Sequence, residues 1–504
     1  MLELNVDDDH LPRVADFYHG KTVFITGATG FVGSVILELL LRCCPGIEAI
    51  YILIRPRKDK KPDDRKEQIF NKKIFDRLKE ENKELLNKVH VISGDIKQPN
   101  LGMSKEDIQL LIEKTSVVFH CAANIQLTNP LNIMLTLIFL SLNSIIELCR
   151  KMKKLEALVY TSTAYSNCNR PTNLIKEEIY RMPFPAEKFL IALKNNDNEK
   201  LQEMAAFCKP DWPNTYTFSK SMAENLIADT ASDLPVAIIR PSIVMSTLKN
   251  PVPGYLEGHS GIAALSFWCG KGVIKVLHGD KNSKMNLVPV DIVANAHILV
   301  ACYIGTKRCA SPPVFNCTAS EKLHIKIGEY IEILNNMFLE FPLPQAFSEY
   351  VGCSIHSNKY LYYIARMYHH QLPAFVLDVI LKISGKKPKL CSLYSFFDLV
   401  VEPLHYFMSA TFNFERNNVQ ALDKLIHPED RKDLSLDFED VTFQDMASKL
   451  PQSTLYFDWK LDKKSPSERQ RIKYRRHMMI TSIRWTFVIF LFIFISWIFY
   501  MVFY

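Results

Sequence analysis

From Lys21 the chain alternates short apolar runs with stretches whose apolar residues recur at helical spacing. "KTVFIT" reads as a strand and Gly33–Cys43 as a helix, while "EAIYILIR", "KVHVISGDI" and "SVVFHCAA" read as the second, third and fourth strands. A fifth strand falls on Ala157–Thr163 ("ALVYTST") and a sixth on Val236–Ser242 ("VAIIRPS"). Strands alternating with helices predict an α/β fold, a doubly wound parallel sheet covered on both faces. The charged stretch Arg57–Lys66 is expected as a solvated loop. From about Ser354 the pattern turns helical and aromatic-rich, as in "HHQLPAFVLDVILKISGKKPKL". These shifts divide the chain into a first domain over 16–350, a helical second domain over 354–450 and a charged linker over 451–483.

The last stretch differs from all of these. Trp485–Tyr504, "WTFVIFLFIFISWIFYMVFY", is apolar or aromatic apart from Thr486 and Ser496. Twenty helical residues span about 30 Å, one hydrocarbon core. Just before it stand Arg469, Arg471, Lys473, Arg475, Arg476 and Arg484, and basic flanks stay on the cytoplasmic side. The expectation is a transmembrane tail anchor in contact with membrane lipid, the body facing the cytosol. The endoplasmic reticulum is the first choice of membrane and the peroxisome the second. The start, "MLELNVDDDHLPRV", is acidic and has no apolar core of a signal peptide.

Composition narrows the classes. A length of 504 residues suggests two or three domains. The net charge of +7 comes from 61 basic and 54 acidic residues mixed along the chain, a poor pattern for nucleic acid. Twelve cysteines are scattered without a CxxC or a metal-ligand spacing, so reduced thiols and no metal are expected.

The candidate chemistry begins at "TGATGFVG", Thr26–Gly33, between the first strand and the first helix. Gly27 can take the tight turn that leaves the strand, Gly30 lets a pyrophosphate approach the backbone, and Gly33 lets the helix pack close to the sheet. The helix N-terminus then offers free N–H groups to the phosphates. This is the dinucleotide site of a Rossmann-type sheet, with Thr26, Thr29 and Phe31 in the same loop. The second strand ends "LIRPRK", with Arg55, Arg57 and Lys58 and no carboxylate for ribose hydroxyls. A guanidinium pairs with a 2′-phosphate, so the expected cofactor is NADPH. Asp95 in "SGDI" is a partner for the adenine amino group, and Ala122 in "FHCAA" joins the cofactor set. Further on, "YTFSK" puts Tyr216 and Lys220 four residues apart on one helix face, where an ammonium would lower the phenol's pKa. Thr163 at the end of the fifth strand is the expected hydrogen-bond donor to a substrate carbonyl, with Ser162 beside it as the alternative.

These residues resemble the extended short-chain dehydrogenase/reductases. "FYHGKTVFITGATGFVGSVILELLLRCCP", "IYILIRPRK", "TSTAYSNCN", "RPSIV", "NPVPGYLEG", "GKGVIKVLHGD" and "LVPVDIVANA" resemble, more narrowly, the alcohol-forming fatty acyl-CoA reductases, especially those of insects and other animals. "HHQLPAFVLDVILKISGKKPKL" is similar to their C-terminal helical domain, sometimes called the male-sterility domain. The resemblance spans most of residues 16–450. It implies reduction of a long-chain or very-long-chain fatty acyl-CoA through an aldehyde to a primary alcohol, with two NADPH consumed. It also implies catalysis by Tyr216, Lys220 and Thr163, with Lys220 orienting the nicotinamide ribose, and Pro241 and Ser242 beside the nicotinamide. One stretch departs from the family. Where an "NVxGT"-like sequence carries an Asn of the proton relay, this chain has "IFLSL", with Ile138 at the Asn position, Ser141 at the Gly and Leu142 at the Thr. That departure favours a second reading, a membrane-tethered NADPH-binding protein with weak or lost catalysis, which the intact Tyr216, Lys220 and Thr163 oppose; a third is another extended reductase acting on lipids, sterols or sugar nucleotides, the helical C-terminal domain and tail anchor arguing against sugars.

Overall fold

The computed structural model describes residues 10–449 except 57–60, 171–173, 209–211, 258–260, 342, 344–351 and 439, with scattered positions between 478 and 497 beyond them. Its centre is a seven-stranded sheet. The strands are β1 (Thr22–Thr26), β2 (Ala49–Ile54), β3 (Val89–Ser93), β4 (Val117–His120), β5 (Ala157–Thr161), β6 (Val236–Pro241) and β7 (Val314–Cys317). All pairs are parallel, in the order β7-β6-β5-β4-β1-β2-β3. Apolar residues fill both faces of most strands, because helices cover each side. The strand order reverses between β1 and β4, and the crevice at that switch point is where such sheets bind ligands. The six strands expected from the apolar runs are present. The seventh, Val314–Cys317 in "PPVFNCT", is a four-residue run too short to stand out by periodicity.

Four helices frame the crevice. The first, α1, covers Phe31–Cys43 and so starts two residues before the sequence pattern suggests. The second, α2, covers Leu131–Cys149 with a π-turn at Thr136–Leu140. The third, α3, covers Thr215–Thr230, and the fourth, α4, covers Val290–Thr306. Among the described residues α2 is the one helix long and apolar enough to cross a membrane, yet Met134, Leu135, Ile138, Phe139 and Leu142 are buried in the apolar cluster shared with Phe218 and Met222 of α3. It is a core helix.

Past residue 353 the chain returns to the body more than once. Ser354–His356 pairs in parallel with Val276–His278, and Asn413–Phe414 with Leu174–Ile175. Between these two returns lie helices α5 (Lys359–Arg366), α6 (Leu372–Ile383) and α7 (Leu390–Val401). Val419, Leu422 and Ile426 then join the main core. Of the tail expected at Trp485–Tyr504, most residues lie outside those described; the described ones, such as Trp485, Val488 and Trp497, have helical backbone and are exposed.

Candidate functional site

The glycine loop is a place where side chains do not fit. Gly27 has φ +84°, and a Cβ there would lie 2.7 Å from the Ala122 nitrogen, just past the end of β4. At Gly33 a Cβ would lie 2.3 Å from the Gly27 carbonyl oxygen, so α1 can pack against its own entry loop only as glycine. Gly30 is the N-cap of α1, and no side chain caps that helix end. Its first-turn N–H groups are thus left to a ligand, as the macrodipole favours for an anion. Phe31 opens the helix and faces Tyr255 at 6.1 Å between ring centres. The Thr29 carbonyl is held by Lys72, whose ammonium also pairs with Glu257 at 2.6 Å. Neither Lys72 nor Glu257 was marked by any local pattern, because they reach the loop from distant segments.

At the tips of the neighbouring strands the other expected cofactor residues appear. Arg55 is exposed just past β2, and its carbonyl accepts from Arg65, a second guanidinium brought alongside by the helix Pro62–Phe70. Arg57 and Lys58 lie outside the described residues. Asp95 follows β3, half-buried, and its carboxylate accepts the Lys97 N–H at 3.1 Å. Thr26 ends β1; its hydroxyl accepts the Ala122 N–H at 3.3 Å and meets the His120 Nδ1 at 2.7 Å. Pro241 closes β6, and the next residue, Ser242, is buried with an Oγ that has no hydrogen-bond partner.

The catalytic candidates sit across the crevice. Strand β5 ends at Thr161 rather than Thr163, so Ser162 and Thr163 form the turn beyond it. Thr163 begins the short helix Ala164–Asn167 and accepts the Tyr165 N–H at 3.3 Å. Tyr216 stands in the first turn of α3, which Asn214 caps by accepting the Thr217 N–H. Burial pushes the phenol's pKa up to about 12, against an opposing effect of the neighbouring Thr163 hydroxyl. Ser162 is committed elsewhere: its hydroxyl donates to Glu224 at 2.5 Å. That contact occupies the Ser162 hydroxyl, while Thr163 lies close enough to the phenol to act on its pKa.

Lys220 is almost fully buried. Its ammonium donates to the Thr161 carbonyl at 2.6 Å and lies 4.7 Å from the Tyr160 ring centre. Burial pulls its pKa down to about 7, against small opposing effects of Cys121 and Glu224. The expected lowering of the phenol's pKa by the ammonium is absent; desolvation dominates both groups, in opposite directions. A phenol that stays protonated at neutral pH is an acid, which is what carbonyl reduction asks of it.

Behind these residues lies a buried polar frame. Arg240 and Glu224, 0% and 1% exposed in their side chains, pair at 2.7 Å. Glu224 also accepts from Ser162 and Ser166, and Arg240 donates to the Lys176 and Glu178 carbonyls. The charges are thus paired and hydrogen-bonded, as burial requires. On the other side His297 of α4 bonds the Val293 carbonyl through Nδ1 at 2.7 Å. A carbonyl only accepts, so Nδ1 carries the proton and Nε2 accepts from the Thr161 hydroxyl at 2.8 Å. His120 stacks on Tyr160 with ring centres 5.9 Å apart, and burial holds its pKa down at about 3. Sequence reasoning missed this frame. The one available signal was Glu224, four residues beyond Lys220 on the same helix face.

The departure at α2 is structural as well as chemical. Ile138 is buried within the π-turn, and the Ser141 hydroxyl donates to the Leu137 carbonyl at 2.7 Å. Position 138 is thus filled by apolar packing, and the Ser141 hydroxyl is satisfied within its own helix.

The arrangement fits a nicotinamide dinucleotide: a cradle closed to side chains, an uncapped helix end and the unpartnered Ser242 hydroxyl line one edge of the sheet. Comparison with known proteins agrees. The male sterility protein NAD-binding profile matches residues 25–297, and the male sterility protein "Sterile" profile matches 369–451. Fatty acyl-CoA reductase 1 of Xenopus laevis is 36% identical over 424 residues, 84% of this chain and 82% of the relative. The Homo sapiens counterpart is 34% identical over the same shares, and fatty acyl-CoA reductase wat of Drosophila melanogaster 31% identical over 87% and 86%. Among solved structures, the terminal R domain from the myxalamid PKS-NRPS biosynthetic pathway superposes with a TM-score of 0.57 at 17% identity, covering 88% of this chain and 92% of that one, a likeness of fold. Relatives that run through both the nucleotide sheet and the helical C-terminal part place the chain in the fatty acyl-CoA reductase family.

Proposed function

We propose that the protein reduces long-chain or very-long-chain fatty acyl-CoA to the primary fatty alcohol with NADPH, releasing CoA through an aldehyde. The observation that carries the reading is Tyr216 in the first turn of α3 beside Thr163 past the end of β5, its phenol pKa held up by burial, in a chain of this family. Thr26, Gly27, Thr29, Gly30, Phe31, Gly33, Asp95, Ala122, Pro241 and Ser242 would hold the dinucleotide. Arg55, with Arg65 beside it, would take the 2′-phosphate, which supports NADPH over NADH. Bound there, the reduced cofactor supplies one hydride to the thioester carbonyl and, from a second molecule, another to the aldehyde.

The chain's own residues manage the oxygen and its proton. Thr163 and Tyr216 hydrogen-bond the carbonyl oxygen as negative charge develops on it. When the tetrahedral alkoxide left by hydride addition re-forms its C=O bond, the C–S bond breaks, CoA departs as a thiolate and the aldehyde remains. In the second reduction Tyr216 delivers its proton to the alkoxide. Lys220, titrating near neutral pH and four residues along the same helix face, resupplies that proton and holds the ribose. The Glu224–Arg240 pair and His297 keep α3 and the end of β5 in position. The domains 16–350 and 354–450 divide the work between chemistry and docking, and Trp485–Tyr504 ties the cytosolic body to the endoplasmic reticulum or a peroxisome.

Membranes carrying the full chain, given a panel of acyl-CoAs with NADPH or NADH, test this by mass spectrometry. Alcohol formed with NADPH supports the reading. Tight NADPH binding without product from any acyl-CoA or aldehyde would support a tethered binder instead.

A further inference from the structure

Helices α5, α6 and α7 expose an apolar surface that the catalytic reading does not use. On α5 and the π-turn after it, Tyr360, Leu361, Ile364 and Met367 are exposed; on α6, Phe375, Val376, Ile380 and Ile383; on α7, Phe396, Leu399 and Val400. A regular helix turns roughly 100° per residue, and on that spacing the first two groups would point about a quarter-turn apart. The π-turn Met367–Gln371 removes the difference. It holds one extra residue, which takes back about one residue's rotation and brings both groups to one side. The opposite side, Tyr362, His370, Ala374 and Asp378, is buried against the rest of the protein. There His370 accepts the Lys275 N–H at 2.9 Å, Tyr362 stacks on His278 at 4.7 Å, and Phe397 of α7 meets Trp268 at 4.9 Å. One face is therefore docked and the other is apolar and open.

The charge around that face has one sign. Between Lys359 and Val401 the sequence holds six Lys or Arg and two Asp. Both carboxylates are engaged: Asp378 accepts the N–H groups of Lys389, Leu390 and Cys391, and Asp398 pairs with Arg366. Lys382, Lys386, Lys387 and Lys389 are exposed at the tip joining α6 to α7. An apolar face rimmed by lysines matches the boundary between acyl chains and anionic headgroups, and apolar patches of this kind on a soluble protein would promote aggregation. The apolar stretch Trp485–Tyr504, with its basic flank, is the part of the same chain suited to bring the body to such a surface.

We propose that the α5–α7 face lies in the surface of an anionic lipid bilayer, a second and monotopic membrane contact that seats the body on the membrane where acyl chains partition. The lysine tip meets the headgroups and the Phe375–Ile380–Ile383 ridge enters the acyl boundary. The alternative occupants are a second copy of the chain or a folded-back segment of its own.

The test uses the full-length chain with Cys391, the exposed one of its twelve cysteines, replaced by Ser. An environment-sensitive fluorophore is attached at Ile380→Cys and, as control, at Ile191→Cys, an exposed apolar position on the body outside this face. Cofactor binding by each labelled protein confirms that it is folded. On phosphatidylserine-containing vesicles the 380 probe is expected to shift to the blue, to be quenched by nitroxides on lipid acyl chains and to be shielded from aqueous iodide; the 191 probe should behave in the opposite way. Lys386→Gln/Lys387→Gln/Lys389→Gln should remove most of the gain that phosphatidylserine gives over phosphatidylcholine alone. A 380 probe quenched by iodide as strongly as the 191 probe, or a chain that stays off the vesicles, overturns the proposal. Shielding from both quenchers also overturns it, because protein rather than lipid then covers the face.

Discussion

The two walls of the crevice are built on different principles. The wall at β1 and α1 is made of backbone and missing side chains: Gly27 and Gly33 sit where a Cβ would strike main chain, and Gly30 leaves a helix end uncapped. The wall at β5 and α3 is made of buried polar side chains that satisfy one another: Glu224 with Arg240, Ser162 and Ser166, and Lys220 with the Thr161 carbonyl. The first wall depends on space. The second depends on desolvated charge, so substitutions on the two sides should fail, or improve, in different ways.

The largest effect on stability belongs to the second wall. Glu224→Ala leaves the Arg240 guanidinium buried without its carboxylate, and such a loss costs about 3–5 kcal/mol. Denaturant unfolding should show that drop, and cofactor binding should weaken with it. Unchanged stability would mean that water reaches Arg240 and that the wall is not desolvated.

Lys220→Met should act in the reverse direction on stability. The lysine titrates at about 7 in the fold against 10.5 in its ordinary state. Between those values the unfolded chain holds the extra proton, so the stability of the unsubstituted protein rises with pH across that window. Methionine removes the burial penalty. The variant should gain about 2–4 kcal/mol at pH 7 and below, with the gain fading as pH approaches 10.5. Turnover should fall steeply at the same time. A variant that melts earlier than the wild type at pH 7 would contradict the desolvated lysine.

On the first wall the expected change is in affinity rather than folding. Arg55 is exposed, so Arg55→Asp should leave the melting temperature in place while weakening NADPH binding by about 1.5–3 kcal/mol. Titration with NADPH and NADH reads this directly. Equal affinity of the unsubstituted protein for both would remove the 2′-phosphate assignment. The smallest change is at the seam. Ile138 is buried among Phe139, Leu142 and Phe218, so Ile138→Asn should cost about 1–3 kcal/mol of stability and bring no gain in turnover. A faster variant of normal stability would show that a polar relay can be rebuilt there.

The same division explains what the sequence made legible. The glycine wall is local: strand, loop and helix follow one another within twenty-two residues, and the spacing of Gly27, Gly30 and Gly33 carries its geometry. Tyr216 and Lys220 were legible because they share one helix, and Thr163 because it follows an apolar strand. The frame behind them was not. Arg240 meets Glu224 from another element, and His297 reaches Thr161 across 136 residues, so no spacing announces either. Apolar composition was also ambiguous. The apolar stretch Gly261–Leu277 buries Ala263, Cys269, Val273, Ile274 and Leu277 in the core, while the helices beyond Lys359 turn comparable residues outward. Tertiary partners decide that, and a single chain pattern does not contain them.

Tyr216 stands as the acid in the proposed reduction of fatty acyl-CoA to fatty alcohol. The most direct measurement compares wild type and Tyr216→Phe on acyl-CoA with NADPH, reading alcohol and aldehyde by mass spectrometry and NADPH affinity by titration. Alcohol from the wild type, a loss of about 10²–10⁴-fold in the rate of the variant and an unchanged NADPH affinity are the expected results. Alcohol formation that survives Tyr216→Phe at the wild-type rate would contradict that role of Tyr216.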